Sequence, residues 1–136
     1  MTSESGPAQH AEAVRHLYTL MNQRRFDEMW MLFAPDARWG GGGTPPATTA
    51  SVEQMGAVIV DPMPVFATGG IAYTLHDLIA ADDRVAAEVE SYAELVDGGV
   101  YNNHYHMLFR FRAGLIVEVR EYADTLHAHQ VFGGAL

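Results

Sequence analysis

The 136-residue sequence contains no cysteine and no lysine, and each absence excludes a class of chemistry. Without cysteine there are no disulfides, thiolate nucleophiles, cysteine-ligated zinc sites or iron–sulfur clusters. Without lysine there is no Schiff-base catalysis, because that chemistry needs an amine side chain to form the imine. All eight basic residues are therefore arginines.

Positive charge is scarce, with 8 basic residues against 17 acidic ones and a formal net charge of -9. Such a chain repels phosphate backbones, and no run of arginines offsets the charge, so nucleic acid is not an expected partner. The sequence also lacks an apolar run long enough to span a membrane, and its first residues do not resemble a signal peptide. We therefore expect a soluble, cytoplasmic protein with no membrane partner.

The composition is typical of a folded globular protein, with 49% hydrophobic and 18% charged residues. No repeat or long linker divides the chain. We predict a single domain over residues 1–136, in which residues 1–8 are disordered and residues 130–136 form a flexible tail.

The beginning of the chain carries helical signals. Apolar residues at helical spacing predict a first amphipathic helix that ends near Asn22. Asp27 is the predicted N-cap of a second, short helix, with Phe26 and Met31 as a hydrophobic staple. Residues 36–39 then indicate a short strand.

A third helix is predicted after a glycine-rich segment. The four glycines at residues 40–43 predict an irregular loop, because glycine weakens both helices and strands. Ser51 and Gln54 are spaced as a capping box. The helix that they begin should end near Asp61, because Pro62 disfavours helical geometry in the residue before it.

The second half of the chain is rich in β-formers. Residues 71–80, 84–96, 100–112 and 115–125 are separated by short turns, which favours antiparallel hairpins. The sequence therefore predicts an α+β domain, in which a curved, mainly antiparallel sheet wraps around about three N-terminal helices. Such a domain forms a cone with an internal pocket.

Alternation of side chains sorts the last two strands into faces. In the strand from residue 100 the odd positions are mostly apolar, which marks the inner face. In the last strand Glu121 is a carboxylate on an otherwise apolar face. A three-residue turn between these strands would place Tyr105 opposite Glu121 and Phe109 opposite Val117.

The strand from residue 84 admits two orientations. In one, its apolar residues are buried while Glu88, Glu90 and Tyr92 are solvated, as a three-residue turn at its end would require. A two-residue turn would instead point those three side chains inward, because a one-residue slip exchanges the two faces.

Three segments of the sheet region resemble the SnoaL-like proteins of the nuclear transport factor 2-like superfamily. They are residues 101–105 (YNNHY), 109–116 (FRFRAGLI) and 120–125 (REYADT), and the helical region 14–35 matches the usual opening of these proteins. The superfamily also contains ketosteroid isomerases and limonene epoxide hydrolases. The resemblance implies the cone-shaped fold over most of the chain.

The resemblance also implies site residues. In polyketide cyclases and epoxide hydrolases of this superfamily an aspartate follows an arginine in the last strand, and that position is Glu121, which the apolar alternation selects independently. An arginine and a second aspartate of the hydrolases fall on Glu88 and Glu90. Their water-holding tyrosine and asparagine fall on Trp39 and Gly41, so that part of the hydrolase mechanism is unsupported.

We expect Glu121, Glu90 and Glu88 to be catalytic carboxylates in one apolar pocket. Desolvation and like charge would raise the pKa of at least one of them, which places a general acid beside a general base. Such a pair suits isomerisation, dehydration, cyclisation or epoxide opening on a mainly apolar, polyketide-like small molecule. The residues expected to bind this substrate are Trp39, Tyr18, Tyr92, Asn103, Tyr105, Met107 and His76.

The alternative is a non-catalytic module of the same fold that binds a ligand or dimerises. We expect no cofactor and no metal. His104 and His106 lie on one face of a strand, where a nearby carboxylate could complete a metal site. The mixed charges around them instead favour a solvent-exposed surface. We expect a homodimer that forms through this outer sheet face.

Overall fold

The computed structural model describes residues 6–41, 49–55, 66–67 and 70–133. Its helices are α1 (Pro7–Asn22), α2 (Phe26–Trp30) and α3 (Thr125–Phe132), and residues 52–55 are also helical. Its strands are β1 (Phe33–Gly41), β2 (Thr49–Ser51), β3 (Ala72–Ala81), β4 (Arg84–Glu94), β5 (Val100–Arg112) and β6 (Leu115–Ala123).

The six strands form one sheet in the order β2-β1-β6-β5-β4-β3. Every neighbouring pair is antiparallel except β1 and β6, which run parallel. The α+β class with a mainly antiparallel sheet is therefore confirmed.

Helix α1 packs across the sheet and defines its inner face. Val14, Leu17 and Leu20 of the helix are fully buried in one apolar cluster with sheet residues such as Phe109 and Val85. Burial alternates along β4 and β5 as the pleat of a strand requires. The odd positions of β5 lie on the inner face, as the sequence predicts.

Helix α2 begins earlier than predicted. Its N-cap is Arg25, so Asp27 lies inside the first turn, where a carboxylate interacts favourably with the helix dipole. The chain turns into this helix through Arg24, whose φ of 58° is left-handed. Met31 is 76% exposed, so the predicted hydrophobic staple is wrong.

Strand β1 extends into the segment that the sequence predicts as a glycine loop. Gly40 and Gly41 pair with residues of β6, and these ladder hydrogen bonds outweigh the low strand preference of glycine. Residues 42–43 lie outside the described residues. The capping box is confirmed: Gln54 N–H donates to Ser51 Oγ at 3.2 Å, and Ser51 N–H donates to Gln54 Oε1 at 2.9 Å. The predicted helix end at Asp61 also lies outside the described residues.

The β5–β6 turn differs from the prediction. It contains two residues, Ala113 and Gly114, with φ angles of 52° and 82°, which match the type I′ turns favoured in hairpins. A bulge close to the turn shifts the register further, so Met107 rather than Tyr105 lies opposite Glu121. Beyond the bulge the total shift is two residues, so side chains from Glu118 to Ala123 keep their predicted faces. Next to the turn the shift is one residue, so Ile116 is buried opposite Phe111 and Leu115 lies opposite Arg112.

Both ends of the described chain include helical residues. Residues 7–8 belong to α1 and residues 130–132 to α3. Within the described part of the chain, no helix is both long and apolar enough to cross a membrane.

Candidate active site

Glu121 lies on the inner face of β6, beside the indole of Trp39. Trp39 Nε1 donates a hydrogen bond to Glu121 Oε1 at 3.1 Å. The side chains meet because β1 and β6 run parallel, with Trp39 paired to Val119 and Gly41 paired to Glu121. Trp39 is buried and Glu121 partly buried, so the carboxylate sits at the boundary of the core.

Burial sets the protonation behaviour of Glu121. Desolvation raises the pKa of its carboxyl group, and the hydrogen bond from Trp39 partly opposes that rise. Within the residues that the structure describes, no arginine or histidine acts on the pKa of this group. Glu121 is thus a carboxylate whose ionised form is disfavoured, rather than half of a structural ion pair.

Two tyrosines lie near the carboxylate. Burial raises the pKa of both Tyr18 and Tyr73, and the charge of Glu121 is the second cause in each case. Their ring centroids are 5.8 Å apart. Both phenols therefore remain protonated at neutral pH. The sequence predicts Tyr18 here but not Tyr73, which lies on the edge strand β3.

A network of hydroxyl groups occupies the same face farther along β4 and β5. The hydroxyl oxygens of Tyr101 and Tyr105 are 2.8 Å apart, and Ser91 Oγ lies 3.1 Å from Tyr105 Oη. Asn103 Nδ2 donates to Tyr101 Oη at 2.9 Å, and Asn103 N–H donates to Ser91 Oγ at 3.3 Å. Ser91 is fully buried and absent from the sequence-based site.

Asn103 also ties this network to the start of α3. Its Oδ1 accepts the Asp124 N–H at 3.1 Å, and its Nδ2 donates to the Asp124 carbonyl at 3.1 Å. The side chain of Asp124 in turn caps α3 by accepting the His127 N–H at 3.0 Å. Asn103 is 1% exposed, so its orientation is fixed by these buried partners.

The inner face thus brings together six of the ten residues predicted from the sequence. Met107 is buried directly opposite Glu121. The six are Glu121, Tyr18, Trp39, Asn103, Tyr105 and Met107.

The expectation that Glu88, Glu90 and Tyr92 face the pocket is wrong. They pair with His106, His104 and Asn102 on the outer face of the sheet. Glu88 is exposed, and Tyr92 is 49% exposed.

The turn after β4 explains this orientation. The Leu95 N–H donates to the Gly99 carbonyl at 2.9 Å, which closes a turn of three residues. Gly98, with a φ of 91°, supplies the left-handed position that this turn needs. Because this turn has an odd number of residues, Glu88 and Glu90 point to the solvated face. The sequence alone permits either orientation.

His76 also lies outside the inner face. It is the unpaired residue at the register shift between Leu75 and Asp77 in β3, and its Nε2 is 2.7 Å from Glu90 Oε1 on the outer face. Asn102 Nδ2 donates to Glu90 Oε2 at 2.8 Å. The hydrogen bonds from Asn102 and His76 lower the pKa of Glu90, which is the opposite of what a pocket acid needs.

On the outer face, His76 and His104 approach Glu90 with nitrogen–oxygen distances of 2.7 and 3.8 Å. His104 and His106 are exposed on the outer face. In the part of the chain that the structure describes, no group of three or more histidine, aspartate or glutamate side chains could hold a metal ion.

Residues 14–119 match the family model of the SnoaL-like domain, which covers well over half of the chain. No curated protein sequence matches the chain.

Solved structures similar to this chain have the same fold. Bal32a, from a soil-derived mobile gene cassette, is 25% identical with a TM-score of 0.78, over 93% of this chain and 97% of that one. IdmH from Streptomyces antibioticus, a candidate polyketide cyclase, is 22% identical with a TM-score of 0.75, over 92% and 99%. TerC, crystallised with polyporic acid, is 17% identical with a TM-score of 0.75, over 92% and 98%. These similarities fit the cone fold expected from the sequence.

Proposed function

Because the chain belongs to the SnoaL-like domain family, we propose that it is a cofactor-independent enzyme in which Glu121 transfers protons on a mainly apolar, aromatic substrate. The observation that carries the proposal is a partly buried carboxylate held by Trp39 on a face otherwise lined by apolar and phenolic side chains. A carboxylate that is poorly solvated is a stronger base than one in water, which suits removal of a weakly acidic proton.

In the proposed reaction, ionised Glu121 takes a proton from a carbon next to a substrate carbonyl. The electron pair of that C–H bond moves into the carbonyl and gives an enolate. Glu121 then returns the proton at another carbon in an isomerisation, or to a departing hydroxyl in a dehydration. In a cyclisation the enolate carbon attacks a second carbonyl, and the new alkoxide takes the proton.

The hydrogen bond from Trp39 assigns different tasks to the two carboxylate oxygens. Oε1 accepts the indole N–H, whereas Oε2 accepts no hydrogen bond from the described residues. Oε2 is therefore the oxygen that meets the substrate proton. Epoxide opening by paired carboxylates is not proposed, because Glu88 and Glu90 lie on the outer face.

The substrate class is inferred from the lining and from the relatives. Tyr18, Tyr73, Trp39 and Met107 present flat or flexible apolar surfaces that favour aromatic ligands. The candidate cyclase IdmH and the structure of TerC with polyporic acid support a polyketide-like or aromatic substrate.

Deuterium exchange into a simple ketone tests the proposal. The probe is 2-tetralone, an apolar aromatic ketone with acidic protons next to its carbonyl, and NMR follows exchange in D2O. We expect wild-type protein to accelerate exchange and Glu121→Gln to reduce the rate by about 10²-fold or more. Glu88→Gln, which changes an exposed carboxylate of the outer face, is the matched control and should leave the rate unchanged. Undiminished exchange in Glu121→Gln would refute the assignment of the base.

A non-catalytic binding module is the second candidate, and one observation favours it. Only one of the three carboxylates expected in the pocket lies on the inner face. Binding of 2-tetralone by wild type and Glu121→Gln alike, with no exchange in either, would support this reading.

We also propose that the protein is a cytoplasmic homodimer that pairs through its outer sheet face. Tyr92 and Tyr122 are 49% and 43% exposed on that face, and aromatic side chains are enriched at interfaces.

A further inference from the structure

The hydroxyl groups of Ser91, Tyr101 and Tyr105 carry one more proton than the hydrogen bonds between them require. Three hydroxyls carry three protons, but only two hydroxyl–hydroxyl contacts join them, at 2.8 and 3.1 Å. The other contacts of these oxygens within the described residues come from Asn103, whose nitrogens supply their own protons. One hydroxyl proton therefore has no partner among the described residues.

The direction of donation in the network is set by Asn103. Its amide oxygen and nitrogen are assigned by the N–H and carbonyl of Asp124, so Nδ2 must donate to Tyr101 Oη. The backbone N–H of Asn103 likewise donates to Ser91 Oγ. Both oxygens are acceptors in these bonds, and both hydroxyls remain free to donate to Tyr105.

Burial determines which hydroxyl carries the unpartnered proton. Ser91 is 0% exposed and Tyr101 is 5% exposed, and an unpartnered donor in such places carries a desolvation cost. Tyr105 is the least buried of the three. The arrangement of lowest cost therefore has Tyr101 and Ser91 donating to Tyr105 Oη, with the Tyr105 proton directed away from both.

We propose that Tyr105 donates this hydrogen bond to the carbonyl or enolate oxygen of the substrate, while Tyr101 and Ser91 act as positioning residues. The inference rests on the proposed function and adds that the ligand carries an acceptor oxygen. Burial raises the pKa of Tyr105, so its phenol remains a proton donor at neutral pH.

The position of Tyr105 relative to Glu121 fits this role. Tyr105 pairs with Ala123 of β6, two residues beyond Glu121, so the two side chains share a face as diagonal neighbours. Diagonal neighbours in a sheet are separated by roughly 7–8 Å. A carbonyl group and its neighbouring carbon fit between them, with the oxygen toward Tyr105 and the acidic proton toward Glu121.

Two ligands of equal shape test the donor. The probes are 2-acetylnaphthalene, which carries a carbonyl oxygen, and 2-isopropenylnaphthalene, which has a CH2 group in its place. Equilibrium dialysis gives the dissociation constant of each ligand, and the ratio of the two constants isolates the contribution of the oxygen. We expect Tyr105→Phe to reduce the preference for the ketone by about 5- to 10-fold.

The other variants separate donation from packing. Tyr101→Phe and Ser91→Ala each remove one donor to Tyr105 Oη, and each should reduce the preference by about 2- to 3-fold. Tyr122→Phe, which removes an exposed hydroxyl from the outer face, is the matched control and should leave the ratio of the two dissociation constants unchanged. The infrared C=O stretch of the bound ketone should be lowered in wild type and should rise in Tyr105→Phe.

The outcomes separate this inference from the proposed function. If both ligands bind and Tyr105→Phe keeps the wild-type preference, Tyr105 is not the donor and only this inference fails. If wild type binds neither ligand, the proposed aromatic substrate class fails, and the inference fails with it. If Tyr105→Phe does not fold, an unchanged preference in Tyr101→Phe and Ser91→Ala would refute the network argument.

Discussion

Replacement of Trp39 by phenylalanine should make Glu121 harder to ionise. The change removes the N–H that donates to Glu121 Oε1 at 3.1 Å but keeps an aromatic ring stacked near Phe33. A hydrogen bond to a charged group contributes about 1.5–3 kcal/mol. Since one pKa unit corresponds to about 1.4 kcal/mol, loss of this bond should raise the pKa of Glu121 by about 1–2 units relative to wild type.

The pKa of Glu121 can be followed directly by NMR titration of protein labelled with 13C at the glutamate carboxyl carbon. The pH profile of 2-tetralone exchange should move in the same direction, because the ionised carboxylate is the base. Trp30→Phe is the matched control, since Trp30 also packs on Phe33, at a centroid distance of 5.2 Å, and has no hydrogen bond to Glu121. An unchanged or lower pKa of Glu121 in Trp39→Phe would refute the role assigned to the indole.

Three further predictions concern stability and assembly. Asn103→Leu should lower the free energy of unfolding by roughly 2–4 kcal/mol in urea titrations, because it leaves buried polar partners at Asp124 unpaired; an unchanged value would contradict its linking role. Ala113→Gly should raise thermal stability by up to about 1 kcal/mol, since glycine relieves a φ of 52°; destabilisation would contradict this. Tyr92→Glu with Tyr122→Glu should weaken the proposed dimer at least tenfold in sedimentation equilibrium, whereas a monomeric wild type would exclude the dimer.

The residues of the inner face could be predicted for strands in which apolar and polar side chains alternate clearly. Glu121 is found from the alternation of β6 alone, because a two-residue period assigns faces without knowledge of the register. The predicted register of β5 and β6 is wrong by two residues, yet Tyr105 and Met107 keep their faces. The face on which a side chain lies can therefore be predicted more reliably than the residue that it pairs with.

The orientation of β4 could not be settled in the same way. Its face depends on whether the following turn has an odd or even number of residues, and two glycines at 98 and 99 permit both. The three-residue turn places Glu88 and Glu90 outside. The resemblance to epoxide hydrolases aligns carboxylates with Glu88 and Glu90, but it does not predict the length of the turn after β4.

Two further features of the structure have clear signals in the sequence. Ser91 has the same parity as the buried apolar residues of β4, which predicts a buried hydroxyl once the outer orientation is chosen. Helix α3 has sequence signals at both ends: Asp124 is its N-cap, and Gly133 takes the left-handed position after it with a φ of 61°. Tyr73 carried no such signal, because a bulge interrupts the alternation of β3.

The most direct test of the account is the pH dependence of stability in wild type and Glu121→Gln. Because burial raises the pKa of Glu121 in the folded state, the folded protein holds this proton more tightly than the unfolded chain. Wild type should therefore lose stability relative to Glu121→Gln as the pH rises from the unfolded pKa through the folded one, and the difference should level off above it. Urea unfolding at pH values from 4 to 8 measures this difference. A difference that grows with pH in favour of glutamine is the predicted result; a constant difference, or one that shrinks as pH rises, would contradict a desolvated catalytic carboxylate.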